Sequence, residues 1–418
     1  MTAPDREFDI VLYGATGFVG KLTARYLASA AGDARIALAG RSPDRLLSVR
    51  ETLPASAQSW PLITADASDP SSLAAMAART RVVITTVGPY LRYGMPLVAA
   101  CAAAGTDYTD LTGEPLFVRR AIDEYHKQAV DTGARIVHAC GFDSIPSDLT
   151  VFALHRQAEK DGSGELGDTN YVVRRLAGGV SGGTLASMTE LIREAAEDPE
   201  GRRLLNDPYT LSPDRVAEPE LGGQPDARWR RGRDIAPELD GYWVGAFAMA
   251  LPNSRIVRRS NALLEYAYGR RFEYAEQMSL GRSPVAPLAA AMATGGNLAA
   301  VELGSRLLHR VPRGALERIL PKPGSGPSEQ TREKGHYTVE TYTTTSSGAR
   351  YVARMSQQGD PGYKATSVLL SESALALATD RDKLSDLRGV LTPAAAMGDA
   401  LLARFPAAGV SLEVTKLA

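Results

Sequence analysis

Residues 8–13, Phe-Asp-Ile-Val-Leu-Tyr, form a short apolar run of strand formers that stops at Gly14-Ala15-Thr16-Gly17-Phe18-Val19-Gly20. Val19, Leu22, Thr23, Tyr26, Leu27 and Ala30 then recur at helical spacing, and Gly32 can end that helix. A glycine turn alone is a weak signal. Set between a strand and an amphipathic helix it has a specific use. The first glycine permits the tight turn, the second lets a pyrophosphate approach the backbone, and the third lets helix and strand pack closely. The helix N-terminus then presents free N–H groups and a partial positive charge to the phosphates. The spacing is G-x-x-G-x-x-G, and it predicts a dinucleotide on Gly14, Ala15, Thr16, Gly17, Phe18, Val19 and Gly20.

The pattern continues as alternating strands and helices. Strands are predicted at 35–39, 61–65, 82–87, 106–111 and 135–140, with helices from Asp69-Pro70, at 96–104 closed by Gly105, and at 117–129 closed by Gly133. Val82–Val87 is almost continuously apolar, as a parallel strand covered on both faces must be. The expected fold class is α/β: an N-terminal doubly wound parallel (Rossmann) sheet. A second, α+β domain with an antiparallel sheet follows. Its signals are strands at 171–176, 242–250 and 271–278, a hairpin of 337–345 with 349–357 around Ser347-Gly348, a helix at 393–405 and a final strand at 410–414. The expected organisation is 1–142 for the dinucleotide domain, 143–380 for a substrate and oligomerisation domain, and 381–418 for a tail returning to the first domain.

With 418 residues, two domains are the natural division. The net charge of −1 gives no field that would recruit nucleic acid or an anionic membrane. Cys101 and Cys140 sit in apolar runs and read as buried thiols, which suits a reducing cytoplasm. Met1–Asp9 has no apolar stretch of the signal-peptide kind. No run is long and apolar enough to span a bilayer. The nearest approach, Pro284–Gly304, is rich in Ala and Gly with charge absent until Glu302. It reads as a buried or interface helix, or as an apolar surface for a long acyl chain.

Five blocks together resemble one family: 14–20; Thr-Val-Gly-Pro-Tyr at 86–90; Gly-Thr-Asp-Tyr-Thr-Asp-Leu-Thr-Gly-Glu at 105–114; Gly-Phe-Asp-Ser-Ile-Pro-Ser-Asp at 141–148; and Pro-Lys-Pro-Gly-Ser-Gly-Pro-Ser at 321–328. The family is the saccharopine-dehydrogenase-like oxidoreductases, and within it the mycobacterial trans-acting enoyl reductases. The resemblance implies NADPH as hydride donor and an enoyl thioester as acceptor, presented by a polyketide synthase or acyl carrier protein. It also implies a long-chain lipid substrate, and a cytoplasmic enzyme, peripheral to the membrane or not. A homo-oligomer stays open. A saccharopine-like small-molecule oxidoreductase and a non-catalytic nucleotide-binding partner of a lipid synthase are the alternatives.

The cofactor choice has its own residues. NAD sites usually place Asp or Glu after the second strand; here Gly40-Arg41-Ser42 stands there. A guanidinium grips a 2′-phosphate that a carboxylate would repel. A solvated Arg41 is the competing reading. Asp66 ends the third strand, where it meets the adenine or makes a turn. Val87 and Gly88 follow the fourth strand, beside the cofactor. Tyr90 is the candidate proton donor, or a ring packed against the cofactor. Asp143 is the second catalytic candidate, with Ser144 beside it; helix capping competes for both. Glu114 reads as a cap of the helix after it, and His126 and His138 as satisfied or surface histidines. No cluster has metal-ligand spacing. The pairs Arg174-Arg175, Arg230-Arg231, Arg258-Arg259 and Arg270-Arg271 read as solvated faces, and could also meet an acidic carrier protein.

Overall fold

The structure, a computed structural model, describes residues 6–178, 182, 187, 189, 193–194, 197–295 and 326–418. Its first sheet grows from the alternation read above: β1 (Phe8–Tyr13), α1 (Phe18–Ala30), β2 (Ile36–Gly40), α2 (Pro43–Glu51), β3 (Leu62–Thr64), α3 (Pro70–Ala78), β4 (Thr80–Thr85), α4 (Tyr90–Tyr93), α5 (Met95–Ala104), β5 (Asp107–Thr109), α6 (Pro115–Thr132) and β6 (Arg135–Val137). The helix signals act as the chemistry requires. The Asp69 carboxylate accepts from the N–H groups of Ser71 and Ser72, and Gly105 and Gly133 end α5 and α6 in left-handed conformations. Every pairing in this sheet is parallel.

The second part contributes α7 (Ile145–Lys160), β7 (Leu166–Ala177), α8 (Pro199–Asn206), β8 (Arg230–Arg231), β9 (Trp243–Ala246), α9 (Ala250–Leu263), β10 (Glu273–Ser279), α10 (Glu329–Lys334), β11 (His336–Thr345), β12 (Arg350–Gln358), α11 (Lys364–Thr379), β13 (Gly389–Leu391), α12 (Pro393–Arg404) and β14 (Val410–Leu417). The first sheet runs β13-β6-β5-β4-β1-β2-β3 and the second β14-β12-β11-β7-β10-β9-β8. The hairpin β11–β12 forms as its turn signal requires. The second sheet is mixed, because β7 and β10 pair in parallel. The sheet expected as antiparallel is antiparallel at every other described pairing.

The tail divides between the two sheets. Gly389–Leu391 joins β6 of the first sheet, held by the Val390 N–H donating to His126 Nδ1 at 3.1 Å. The final strand instead pairs with β12 on the second sheet, so its expected return to the first domain is corrected. α11, from the stretch before it, packs on α1 and on β1, β4 and β5, covering the first sheet.

Two readings on the second part change. Arg258 and Arg259 are buried, at 3% and 1% exposure, not solvated. Arg258 meets Asp226 and the Tyr274 carbonyl, and Arg259 donates to the carbonyls of Leu211 and Val390. Buried guanidiniums persist only when so matched. Of Pro284–Gly304, residues 296–304 lie outside the described residues. Residues 286–295 are helical, with Ala286 and Ala290 buried and Val285, Leu288 and Met292 exposed. The helix lies on β9, where a Cβ on Gly245 would come 2.7 Å from the Ala290 carbonyl oxygen. It is therefore a surface helix with an apolar outer stripe. Both cysteines are buried and free. Among the described residues no helix is long and apolar enough to cross a membrane, and no His, Cys, Asp and Glu cluster suits a metal.

Candidate active site

The carboxyl ends of the parallel strands bring the sequence motifs to one rim. After β1 the chain turns at Gly14, whose φ is +89°. A Cβ there would stand 2.7 Å from Thr86 Oγ1 and 2.8 Å from Val87 Cγ2, so the turn after β4 lies directly on it. Thr86 Oγ1 donates to the Gly14 carbonyl at 3.1 Å, fixing the two turns together. A Cβ on Gly20 would overlap that same carbonyl, which is why helix and strand pack so closely only with glycine there. Gly17 differs. Among the described residues its Cβ would meet only Gly14 O, at 3.2 Å, and otherwise open space. Gly17 is the N-cap of α1, with no side-chain cap and no acidic residue in the first turn. Among the described residues the first-turn N–H groups therefore lack both a protein acceptor and a repelling charge. This cradle, free where a diphosphate would enter, fits a dinucleotide.

Gly40 ends β2 and Arg41 follows it, exposed. The Asp66 carboxylate accepts from the Ser68 N–H and hydroxyl at 2.9 and 2.8 Å, and these bonds with the nearby Arg41 charge keep it below the usual carboxylate range. Arg41 and Asp66 thus sit together beside the cradle, Asp66 already making a turn. Val87 is half-buried and Gly88 exposed.

Tyr90 is placed differently from the proton-donor expectation. It is buried, its hydroxyl donates to the Thr85 carbonyl and accepts from the Leu111 N–H, both at 3.2 Å. Burial pushes its ionisation well above the ordinary tyrosine value. Neither lone donor nor exposed face remains, so Tyr90 fastens the turn after β4 to the one after β5. Glu114 does not cap the helix after it. Its carboxylate reaches across to accept from the N–H groups of Tyr90 and Leu91 at 3.0 and 2.7 Å, and from the Ser187 hydroxyl. It thus holds the N-terminus of α4. The Thr-Gly-Glu block carried that information, but the partner is remote in sequence.

Beneath the rim, Asp110 Oδ2 lies 2.7 Å from His138 Nδ1 and accepts from the Tyr108 hydroxyl at 2.9 Å. Its Oδ1 accepts from the N–H groups of Ala139 and Thr112. His138 is wholly buried and structural in setting. The chain then passes through Gly141, where a Cβ would strike Leu111 Cδ2 at 2.5 Å and Asp143 Oδ2 at 2.7 Å.

Asp143 is the conspicuous group. Its Oδ2 is out of contact with solvent and has no hydrogen-bond partner among the described residues. Burial, with Asp110 nearby, pushes the carboxyl up to about 7. It stands where the two parts meet: the Phe142 N–H donates to Thr366 Oγ1 of α11 at 2.9 Å, and the Phe142 ring packs on Tyr337 of β11. Ser144 makes no side-chain cap on α7. Its hydroxyl donates to Asn253 Oδ1 at 3.0 Å, and Asn253 Nδ2 donates to Glu276 Oε2 at 2.9 Å. Glu276 is buried, which pushes it up to about 8. Sequence reasoning missed Asn253 and Glu276, which sit on elements whose polar residues carry no spacing signal.

A parallel sheet with an open glycine cradle at a helix N-terminus, and an acid at the junction with a second domain, defines a dinucleotide-dependent oxidoreductase. Comparison with known proteins is specific. Residues 10–137 match the family model described as the saccharopine dehydrogenase NADP binding domain, which gives NADP(H) as the cofactor. A Mycobacterium tuberculosis relative, 69% identical over 418 residues and covering 100% of both chains, is provisionally named a trans-acting enoyl reductase. The trans-acting enoyl reductase of Mycobacterium bovis is 62% identical, again over 100% of both chains. The apo saccharopine dehydrogenase (L-Glu forming) of Saccharomyces cerevisiae shares the fold, with a TM-score of 0.53 at 13% identity, covering 98% of this chain and 99% of that one. This chain belongs to the trans-acting enoyl reductase family, within the saccharopine-dehydrogenase-like oxidoreductases.

Proposed function

We propose that this protein uses NADPH to reduce the carbon–carbon double bond of an acyl thioester carried by a polyketide synthase or acyl carrier protein, in the making of a complex lipid of the phthiocerol type. The observation that carries this reading is that the open cradle at Gly17 and the unpartnered carboxyl of Asp143 both follow carboxyl ends of strands of the same parallel sheet, in a full-length relative of the named reductases.

The residues divide the work. Gly14, Ala15, Thr16, Gly17, Phe18, Val19 and Gly20 hold the pyrophosphate, Gly40 and Arg41 the 2′-phosphate, Asp66 the adenine side, and Val87 and Gly88 the stretch toward the nicotinamide. When bound, the cofactor supplies a hydride to the β-carbon of the enoyl group. The double bond's electron pair then moves toward the thioester carbonyl, and the α-carbon takes a proton. Asp143, with its carboxyl near 7, holds that proton in a fraction of molecules at neutral pH. Tyr90 and Glu114 position the turn from which Val87 and Gly88 face the cradle. The saccharopine alternative needs converging arginines, but one member of each of three pairs is engaged elsewhere. Arg174 pairs with Glu340, Arg230 contacts Asn170, and Arg270 donates to the Ala217 carbonyl.

The test is NADPH oxidation with an enoyl-pantetheine thioester, with saccharopine, and with neither. Oxidation dependent on the enoyl thioester is expected; turnover of saccharopine alone would replace the reading. Arg41→Asp should weaken NADPH binding about 10- to 100-fold, the worth of a charged hydrogen bond, while NADH affinity holds. Fluorescence titration with both cofactors decides this, and a wild-type protein binding NADH as tightly as NADPH removes Arg41 from the site.

The exposed stripe of Leu288 (64%) and Met292 (66%) bears on the acyl chain. Changing both to Asp should leave folding and NADPH binding near wild type, because neither side chain is in the core. If the stripe serves the acyl chain, activity toward long-chain enoyl thioesters falls more than toward short ones, by about 0.8 kcal/mol per lost CH₂ contact. An unchanged chain-length profile leaves the stripe without that role.

A further inference from the structure

The block at 321–328 has no part in the function described so far, and its end, 326–328, is among the described residues. That end does not stay with the second sheet. Gly326 lies flat against the ring of Phe18, so that any Cβ on it would overlap the ring. From there Ser328 caps α10, its hydroxyl accepting from the Thr331 N–H at 3.3 Å. The helix brings Arg332 back over the same ring, its guanidinium carbon 5.1 Å from the centroid. Tyr363, just before α11, meets Phe18 edge-on at 4.9 Å, and its hydroxyl accepts from the Gly182 N–H at 3.2 Å. Segments around 182, 326–332 and 363 thus converge on one side chain of the first domain. Phe18 is the first residue of α1, next to Gly17.

Arg332 is well fixed and poorly matched in charge. One end of its guanidinium donates to the Pro327 carbonyl, and its own carbonyl accepts from the Asp360 N–H at 2.9 Å. Among the described residues no carboxylate lies within ion-pair range of it. Its neighbour Glu333 is taken by Lys364, and Asp360, the acid that feels the Arg332 charge, is pushed upward by burial and turns its Oδ1 to the Lys364 N–H at 3.2 Å. A guanidinium stacked on an aromatic ring keeps its forked donors available in the plane of the stack. This cation stands on the residue that opens a helix whose first-turn N–H groups have no acceptor among the described residues.

We infer that Arg332 is a cofactor-binding residue contributed by the second domain, pairing with the pyrophosphate of a dinucleotide seated on turn 14–20. The inference rests on the cofactor placement proposed above. It gives the cradle a lid of fixed composition: helix N–H groups from below, and one guanidinium held by Phe18 and Pro327 from above. It also divides the two cationic contacts. Arg41 meets the 2′-phosphate, which NADPH alone carries, whereas Arg332 meets the diphosphate common to NADPH and NADH.

Fluorescence titration of the full-length protein with NADPH and with NADH, for wild type, Arg332→Ala, Arg332→Lys and Phe18→Leu, tests this. Arg332→Ala is expected to weaken both cofactors by tenfold or more, leaving their ratio unchanged and flattening the salt dependence of binding. Arg332→Lys should recover part of the loss, since charge remains without the fork. Phe18→Leu should fall between wild type and Arg332→Ala, because the guanidinium loses its platform. Unchanged melting temperatures of the apo variants separate these effects from misfolding. Arg332→Ala binding both cofactors within twofold of wild type overturns the inference, and so does a loss confined to NADPH, which would move Arg332 to the 2′-phosphate. Failure of the underlying cofactor placement looks different: Gly17→Val would then bind NADPH normally.

Discussion

Gly17→Val is expected to abolish measurable NADPH binding while moving the melting temperature of the apo protein by less than about 4 °C. The asymmetry comes from the neighbours of the three glycines. At Gly17 the added Cβ meets one carbonyl oxygen at 3.2 Å, a contact the turn can absorb, and the rest of the side chain fills the space over the helix N-terminus. That space is where the pyrophosphate must approach the backbone. At Gly20 the same change drives a Cβ into the Gly14 carbonyl, and at Gly14 it meets two side-chain atoms under 3.0 Å in a left-handed conformation. Gly20→Val should therefore lose the fold along with binding. A thermal-shift series with and without NADPH separates the two. Wild-type stabilisation of Gly17→Val by NADPH would show that the turn is not the cofactor site.

Asp143→Asn should cut the rate of enoyl reduction about 10²- to 10⁴-fold, the usual worth of a positioned general acid, with NADPH affinity little changed. The pH dependence carries the stronger signature. The acid form is the active one, and burial holds the carboxyl near 7, so wild-type activity should be full below about 7 and decline as pH rises through it. The variant has no titrating group there, and its residual rate should show no such limb. A variant that keeps both its rate and the limb would hand the proton to another group. Glu276, the other buried acid pushed upward, is tied through Asn253 to Ser144 and not to the Asp143 carboxyl, so Glu276→Gln serves as the comparison: it should leave the limb in place.

The legible parts of the molecule were those where local sequence and final neighbours coincide. The first sheet is built of consecutive strand–helix units, so period, caps and closing glycines read straight through. α11 gave no such signal. Its stretch 365–378 is buried almost throughout, with Ser, Thr and Glu among the Leu and Ala, so no polar stripe marks one face. Yet it is the helix that covers the first sheet. The parallel partnership of β7 with β10 and the docking of β14 on β12 are long-range choices that no single strand encodes. Arg258 and Arg259 misled because a charged pair suggests solvent, whereas carbonyls at the ends of distant segments take up these guanidiniums. In the site, the turn at 14–20 was legible from its setting between a strand and an amphipathic helix. The isolation of the Asp143 carboxyl was not, since it depends on a helix and a strand far along the chain. Glu114 was visible in its motif, but the two N–H groups it clamps belong to an earlier turn.

The most direct measurement follows the transferred atoms. Purified protein is incubated with NADPH deuterated at the transferable position and an enoyl-pantetheine thioester, and the product is analysed by mass spectrometry and NMR. The expected product is the saturated thioester with one deuterium on the β-carbon and a solvent proton on the α-carbon, with Asp143→Asn giving it far more slowly. An unreduced thioester from protein shown to bind NADPH, or a product without deuterium at the β-carbon, would contradict reduction of the double bond at this site.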